Sequence, residues 1–300
     1  MTQVLLLGAG ASFGSDSVGC PPLRADLFDT LAAFNPPGWG SMPPQFATQF
    51  RADFEAAMAA LGVAHPHAIP PLQRAMAAFF FTFVPRTTSL YVALAQRMAS
   101  AGWNGAVCSL NYERLLELSL GRARVQATVG IPTNAAKSVE LCLPHGCCHI
   151  FCEGVRGSSQ GISFTGFGVS TDGPVVVISN PIQHRQRIEN DAFPPVMSYF
   201  EPNKRTTSGT SFIVGQRERW GQLARAATSV VCVGIRVRPQ DEHIWKPIAD
   251  SPGRVVYCSG ASAGAEFDTW AQANRSGRPS LVLPGFFHAE FAAVCGELGL

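Results

Sequence analysis

The sequence is poor in charged residues, which make up 15% of the 300-residue chain, against about 25% in typical soluble domains. The charges also nearly balance, with 23 basic and 21 acidic residues and a net charge of +2. Non-specific binding to nucleic acid needs a clustered basic surface. The composition therefore predicts no direct contact with nucleic acid.

Long hydrophobic runs are missing as well. The longest candidate runs only from Ala75 to Val84, whereas a membrane-spanning helix needs about 18 or more apolar residues. The amino-terminal apolar stretch is short and has no Lys or Arg before it, unlike a signal peptide. These absences predict a cytoplasmic protein that does not insert into membranes, and its nine cysteines are then expected to be reduced thiols.

Two motifs of common enzyme and metal sites are absent. There is no G-x-S-x-G nucleophile elbow, so a serine hydrolase is not supported. There is also no C-x-x-C pair, although four cysteines lie close together at Cys142, Cys147, Cys148 and Cys152. Structural zinc usually needs two such pairs, so no resident metal is predicted. One metal site stays possible, a zinc site with Cys148, His149 and Cys152 as ligands.

Short apolar runs alternate with helical patterns along most of the chain. Such alternation predicts the α/β class, with a parallel sheet covered by helices on both faces. The predicted strands are Val4–Leu7, Ala106–Leu110, Glu140–Leu143, Ser229–Val233, Arg254–Cys258 and Ser280–Leu283. The predicted helices are Thr87–Ala101, Asn111–Leu120, Ser211–Thr228 and Ala265–Asn274.

Two segments interrupt this alternation. Residues from about 20 to 100 contain several helix-like stretches and no good strand, which predicts a helical insertion. Three of these stretches, residues 23–34, 45–61 and 72–84, are rich in Ala and Phe. Residues 146–209 are rich in Gly, Ser, Thr and Pro, which predicts a small subdomain of loops and short strands above the sheet.

A glycine-rich turn, Gly8-Ala9-Gly10-Ala11-Ser12, follows the first predicted strand. Such turns let backbone amides approach a pyrophosphate in front of a helix N-terminus. The complete G-x-G-x-x-G motif is not present, because Phe13 stands where the last glycine belongs. No acidic residue ends a second strand about 20 residues later, which disfavours a dehydrogenase. A tight turn that needs small residues remains the alternative.

Two further motifs stand where predicted strands end. Ser109 to Glu113 reads S-L-N-Y-E, and Leu143 to Gly146 reads L-P-H-G. Ligands of open α/β sheets bind at the carboxyl ends of the strands, and a histidine there can serve as a base. Taken separately, the first motif could be a helix N-cap and the second a loop histidine before a turn glycine.

The order of these three motifs resembles the Sir2 (sirtuin) superfamily, and in particular its SIR2-like NADase branch, which is common in bacterial defence. The stretch Asn111 to Glu117 resembles the N-Y-D/E-x-L-x-E pattern of that branch. Three later stretches also resemble family motifs, namely Pro195 to Glu201, Val233 to Pro239 and Asp241 to Ile244. The resemblance implies one Rossmann-like domain over residues 1–300.

The resemblance also implies a substrate and roles for individual residues. Family members bind NAD and break the bond between nicotinamide and ribose. Asn111 is expected to hold the ribose and orient a water molecule, and His145 is expected to be the general base. The expected NAD-binding residues are Gly8, Ala9, Gly10, Ser12, Arg24, Ser109, Glu113, Gly234 and Ser259.

Three functions remain open at this point. The first is NAD hydrolysis to nicotinamide and ADP-ribose, in the role of an NAD-depleting antiphage effector. The second is NAD-dependent protein deacylation, and the third is an NAD or ADP-ribose sensor without turnover. The apolar excess, with Phe79 to Phe81 at its peak, predicts either the interface of a homo-oligomer or a large buried helical subdomain. The resemblance implies an activating protein partner.

Overall fold

The computed structural model describes residues 3–130, 137–154, 170–199 and 204–300. Its strands are β1 (Gln3–Leu7), β2 (Ala106–Ser109), β3 (Gln126–Val129), β4 (Ser138–Cys142), β5 (Ile150–Cys152), β6 (Val175–Val177), β7 (Ser229–Val233), β8 (Arg254–Cys258) and β9 (Ser280–Leu283). Its α-helices are α1 (Ala9–Ser12), α2 (Arg24–Phe34), α3 (Pro44–Ala52), α4 (Phe54–Ala64), α5 (Ile69–Phe81), α6 (Leu90–Ala101), α7 (Leu115–Arg122), α8 (Pro181–Asn190), α9 (Thr210–Ala226), α10 (Glu242–Asp250), α11 (Ala261–Asn274) and α12 (Phe287–Glu297).

Seven strands form one parallel sheet in the order β3-β4-β2-β1-β7-β8-β9. The strands β5 and β6 pair separately as an antiparallel ribbon. The fold is thus a Rossmann-like α/β fold, and the predicted fold class is confirmed.

The chain changes direction across the sheet at β1. From β1 it moves to β2 on one side, and it later returns to β7 on the other side. Leu7 at the end of β1 is level with Ser109 of β2 and with Val233 of β7. Such a switch point opens a crevice outside the carboxyl ends of the strands, where α/β proteins bind ligands.

The sheet is buried on both faces, as strands that are apolar throughout require. In β1, Leu5 and Leu7 pack with the helices that follow in the chain, whereas Val4 and Leu6 pack with the apolar faces of α9, α10 and α11. All four side chains are fully buried. The central strand therefore fixes the turn after Leu7 rigidly in the molecule.

The helices α2 to α6 lie between β1 and β2 in the chain. One predicted helical stretch, residues 45–61, is divided into α3 and α4 at Asp53. The backbone of Asp53 is extended, and its carboxylate accepts hydrogen bonds from the amides of Glu55 and Ala56. This N-cap begins α4, and it places Glu55 in the first turn of that helix.

The segment predicted to be loops and short strands, residues 146–209, contains a helix in its described part. Asn180 caps α8 through the amides of Ile182 and Gln183, and Pro181 occupies its first position. Both are strong helix-start signals, so the composition of the whole segment hid a local signal. Within the described residues, no helix is both long and apolar enough to span a membrane.

Candidate active site

The glycines after β1 and β7 allow two loops to touch. The amide of Gly8 donates to the carbonyl of Val233, and the amide of Gly10 donates to the carbonyl of Gly234, both at 2.9 Å. A Cβ atom on Gly8 would lie 2.2 Å from Cγ2 of Ile235. The glycine pattern is therefore explained in this structure by contact between the loops, and the binding of a pyrophosphate by this turn stays a prediction.

Gly234 is the tightest point of that contact. Its φ is +70°, and a Cβ atom there would lie 2.0 Å from the backbone nitrogen of Ala11. We expect Gly234→Ala to lower the free energy of unfolding by about 3 kcal/mol or more, since strain at positive φ adds to a backbone clash. Urea unfolding measures this, with Gly215→Ala as the control, because a Cβ atom at Gly215 meets nothing within 4 Å. Equal stability of the two variants would contradict the expectation.

Ser12 is the centre of a buried hydrogen-bond network at the end of β1. Its hydroxyl donates to Oε1 of Glu113 at 2.5 Å. It accepts from Nδ2 of Asn111 at 2.9 Å, and it lies 3.0 Å from the hydroxyl of Tyr91 on α6. A hydroxyl has one proton and two lone pairs. With its proton committed to Glu113, Ser12 accepts from both of its other neighbours.

This network fixes which way the Asn111 amide faces. The position facing Ser12 must be the NH2 group, because Ser12 has only lone pairs left to offer. The Asn111 amide also lowers the pKa of Glu113, as an N–H group near a carboxylate does. The other end, Oδ1, is therefore the carbonyl oxygen, and it is buried without a hydrogen-bond partner among the described residues.

Glu113 has both carboxylate oxygens engaged within the protein. Oε2 accepts from the amide of Leu115 at 2.5 Å, and Oε1 accepts from Ser12. Burial raises the pKa of Glu113, and the hydrogen bonds from Ser12, Leu115 and Asn111 oppose that rise. One turn later, burial and the neighbouring Glu113 raise the pKa of Glu117 to about 8. The expected contact of Glu113 with NAD stays a prediction, since this carboxylate here supports Ser12 and begins α7.

His145 lies at the end of β4, and its ring faces a second histidine. Nε2 of His145 is 2.9 Å from Nε2 of His243 at the start of α10. Burial, then Lys204, His243 and Arg217, hold the pKa of His145 well below its usual value, while the carbonyl of Leu110 acts in the opposite direction. Burial, Arg217 and Lys204 lower the pKa of His243 to about 3. Both rings are therefore neutral at physiological pH.

Charged side chains surround this histidine pair. Lys204 and Arg238 both bind the buried carboxylate of Glu55, with Lys204 Nζ 3.0 Å from Oε1. The guanidinium of Arg217 donates to the carbonyls of Pro144 and Lys204 and to the hydroxyl of Ser198. Asp241 completes the set, since its carboxylate lies within 4.8 Å of one ring nitrogen of each histidine. The described residues thus contribute three cations and two carboxylates to this end of the sheet.

The structure brings most of the predicted site residues to one edge of the sheet. Ser109 accepts from the amide of Asn111 at 3.3 Å, and Ser259 accepts from the amide of Ile235 at 3.0 Å. The carbonyl of Leu110, which precedes Asn111, raises the pKa of the His145 ring. Ala9 is exposed at the start of α1. Arg24 begins α2, but its side chain lies outside the described residues, as do Phe200 and Glu201 of the resembling stretch.

Sequence reasoning missed two residues of this site. Tyr91 comes from α6 and supports Ser12, and no local pattern in the sequence marks it. His243 lies in the stretch Asp241 to Ile244, which was matched to a family motif without a role. Its neighbourhood with His145 depends on the parallel order of β4, β2, β1 and β7.

A second cluster of possible metal ligands lies in the core. The Sγ atoms of Cys147 and Cys148 and Nδ1 of His149 all lie within 4.8 Å of one another. Nδ1 of His149 is 3.1 Å from Sγ of Cys147. Cys152 was one of the three ligands, with Cys148 and His149, of the zinc site that the sequence left open. It lies outside this group. Burial raises the pKa of the Cys147 thiol and lowers that of His149 to about 3, so in this arrangement both groups are neutral.

Comparison with known proteins gives likenesses in structure only. No protein-family model matches the chain, and no curated protein matches it. A histidine-to-asparagine mutant of a Sir2 homologue in complex with ADP-ribose is 13% identical, with a TM-score of 0.42, over 91% of this chain and 92% of the other. A phenylalanine-to-alanine mutant, also with ADP-ribose, is 12% identical, with a TM-score of 0.41, over 99% and 92%. A Sir2 homologue in complex with NAD is 14% identical, with a TM-score of 0.40, over 91% and 89%. At these TM-scores the backbones overlap only in part.

Proposed function

We propose that the chain is an NAD hydrolase that cleaves the bond between nicotinamide and ribose and releases nicotinamide and ADP-ribose. The carbonyl oxygen of Asn111 carries this proposal, because it is buried at the carboxyl end of β2 and has no hydrogen-bond partner among the described residues. A buried acceptor without a hydrogen bond costs about 1–3 kcal/mol. The unmet acceptor supports a ligand that brings a hydroxyl, an amide N–H or a water proton to that oxygen.

Asn111 would stabilise the reaction where charge develops. As nicotinamide leaves, positive charge grows on the ribose ring, as in other glycoside cleavages. A carbonyl oxygen held near that ring stabilises the growing charge. A water molecule that donates one proton to the same oxygen keeps a lone pair free for attack on the ribose carbon. The Ser12 network holds the amide in this orientation before the substrate arrives.

His145 would accept a proton from the ribose hydroxyls or from the attacking water. Its neutral ring has the lone pair that a base requires. The resemblance of the chain to Sir2 proteins supplies the substrate in this proposal, and the loops after β1, β7 and β8 would bind the rest of the dinucleotide. Ser12, Gly234 and Ser259 lie in those loops.

The biological role follows from the same resemblance. We assign the chain a role as an effector that depletes NAD during antiphage defence, acting as a homo-oligomer that a protein partner activates. In cells that express the protein, total NAD should then fall after phage infection, and it should not fall in cells that carry Asn111→Ala.

One incubation separates the possible reactions. The protein is mixed with NAD, with and without an acetylated peptide, and each mixture is tested alone and with a lysate of phage-infected cells as the source of an activating partner. The products are identified by mass spectrometry, and Asn111→Ala in the same lysate corrects for other NAD-consuming enzymes. We expect nicotinamide and ADP-ribose without the peptide. Cyclic ADP-ribose would show that the same bond is cleaved with a different acceptor. Nicotinamide release only with the peptide, with loss of its acetyl group, would establish a deacylase. Bound but intact NAD under every condition would establish a sensor and overturn the proposal.

A further inference from the structure

The contact between His145 and His243 constrains where their protons lie. The two Nε2 atoms face each other at 2.9 Å, and the ring centroids are 5.1 Å apart. Both rings are neutral, so each has one N–H group and one lone pair. A distance of 2.9 Å requires one Nε2 to donate and the other to accept.

The carbonyl of Leu110 decides which ring donates. This carbonyl raises the pKa of the His145 ring, as an acceptor facing a ring N–H group does. Because Nε2 of His145 faces His243, the nitrogen that serves Leu110 is Nδ1, and Nδ1 carries the His145 proton. Nε2 of His145 is then the acceptor, and His243 donates its Nε2–H. In this arrangement one ring nitrogen still has a lone pair available, namely Nδ1 of His243. The described residues provide no hydrogen bond to this atom.

We propose that His243 is a second catalytic residue of the NAD hydrolase reaction, and that it takes the proton of the attacking water and passes its own proton to His145. This inference rests on the proposed function for its substrate. In this proposal the proton released by the attacking water is taken up by His145 and His243 together, and not by His145 alone.

The proton count of this step balances. Hydrolysis of NAD by water releases one proton besides nicotinamide and ADP-ribose. Nδ1 of His243 accepts that proton as the water oxygen bonds to the ribose carbon. The Nε2 proton of His243 moves to Nε2 of His145, so His243 stays neutral and His145 becomes an imidazolium. Its two N–H groups then face the carbonyl of Leu110 and the lone pair of His243, and the proton returns to solvent afterwards.

The surroundings of the pair fit a weak base. Lys204 and Arg217 disfavour positive charge on both rings, and the carboxylate of Asp241 lies within 4.8 Å of a ring nitrogen of each. Water becomes strongly acidic while it bonds to a cationic carbon, so a weak base suffices at that moment. Between substrates the pair stays unprotonated and ready to accept a proton.

A divalent metal is the competing use of the same atoms. A carboxylate oxygen of Asp241 and one ring nitrogen of each histidine lie within 4.8 Å of one another, and a metal bound there would take a lone pair from each ring. The nearby cations Lys204 and Arg217 raise the electrostatic cost of a dication there. These cations favour the proton-sharing pair over a bound metal, and the first test below detects either.

The first test does not depend on activity. In protein labelled with ¹⁵N-histidine, nitrogen NMR distinguishes ring nitrogens that carry a proton from those with a lone pair. We expect Nδ1–H on His145, Nε2–H on His243 and a coupling between the two Nε2 nitrogens across the hydrogen bond. Two protonated Nδ1 atoms, or a metal found by elemental analysis of the purified protein, would overturn the proposal even if NAD is hydrolysed.

The second test uses turnover. We expect His243→Ala to lower kcat about 100-fold with little change in KM, and the double variant with His145→Ala to be no slower than the slower single variant, since the two act as a unit. Added imidazole should restore part of the activity of His243→Ala, which a purely structural role would not allow. The control is His67→Ala, at an exposed position on a short turn far along the chain. Effects that multiply in the double variant, or no rescue by imidazole, would remove His243 from the reaction. If the wild-type protein releases no nicotinamide, the proposed function fails, and the NMR result still decides the pairing.

Discussion

Replacing Asn111 with alanine is expected to lower kcat for NAD cleavage by about 1,000-fold. Removing one preorganised polar group that meets developing charge costs about 100- to 1,000-fold in kcat, and Asn111 also positions the water in the proposed reaction. The change removes the buried carbonyl oxygen for which the described part of the chain offers no hydrogen bond. It leaves one lone pair of Ser12 unused, which costs about 1 kcal/mol of stability.

Two measurements keep the loss of activity separate from a loss of folding. Thermal unfolding of Asn111→Ala should shift Tm by only a few degrees, which is what about 1 kcal/mol produces in a domain of this size. The matched control is Asn274→Ala, at an exposed position where Nδ2 bonds only the Trp270 carbonyl at the end of α11. Wild-type turnover in Asn111→Ala would place the site elsewhere in the molecule.

Replacing His145 with alanine should lower kcat by about 100- to 10,000-fold, the range typical of a lost general base. The pH dependence of the wild-type protein tests the same residue without a mutation. Both rings of the pair have a depressed pKa, to about 3 for His243 and well below 6.5 for His145. A base works in its unprotonated form, so kcat/KM should stay level as the pH falls from 8 to about 5.

An ordinary histidine base would behave differently. With a pKa near 6.5, it would lose about nine-tenths of its activity for each pH unit below that value. An acidic limb centred near pH 6.5 in kcat/KM would therefore contradict the environment that burial, Lys204 and Arg217 give to this pair. A mixed buffer of constant ionic strength is required, because these cations act through space.

The sequence was informative where buried strands end in polar or glycine residues. The ends of β1, β2, β4 and β7 were predicted within about one to two residues, and because parallel strands end at the same edge, Ser12, Asn111 and His145 were expected at one crevice. Strand β3 was not predicted, since Gln126–Val129 is short and half exposed at the sheet edge. Helix α12 was not predicted either, although Phe287, Val294 and Cys295 bury one face of it.

Contacts between distant segments were beyond the sequence. Tyr91 reaches Ser12 across 79 residues, and His243 reaches His145 across 98. Each lies on a helix whose position depends on the order of strands, and the sequence predicts the existence of strands far better than their order. The glycine-rich turn after β1 was visible as a pattern in the sequence. Its contact with the loop after β7 was not, because that contact also depends on the order of the strands.

The fixed direction of the Asn111 amide has a consequence for inhibitor chemistry. Compounds that offer an O–H or N–H group to this oxygen should gain affinity in this crevice, and matched analogues with an ether or a ketone at that position should lose it. The same preference would be reversed in a protein whose amide turned its nitrogen to the crevice. A pair of analogues that differ in one hydrogen would therefore distinguish this molecule from such a relative.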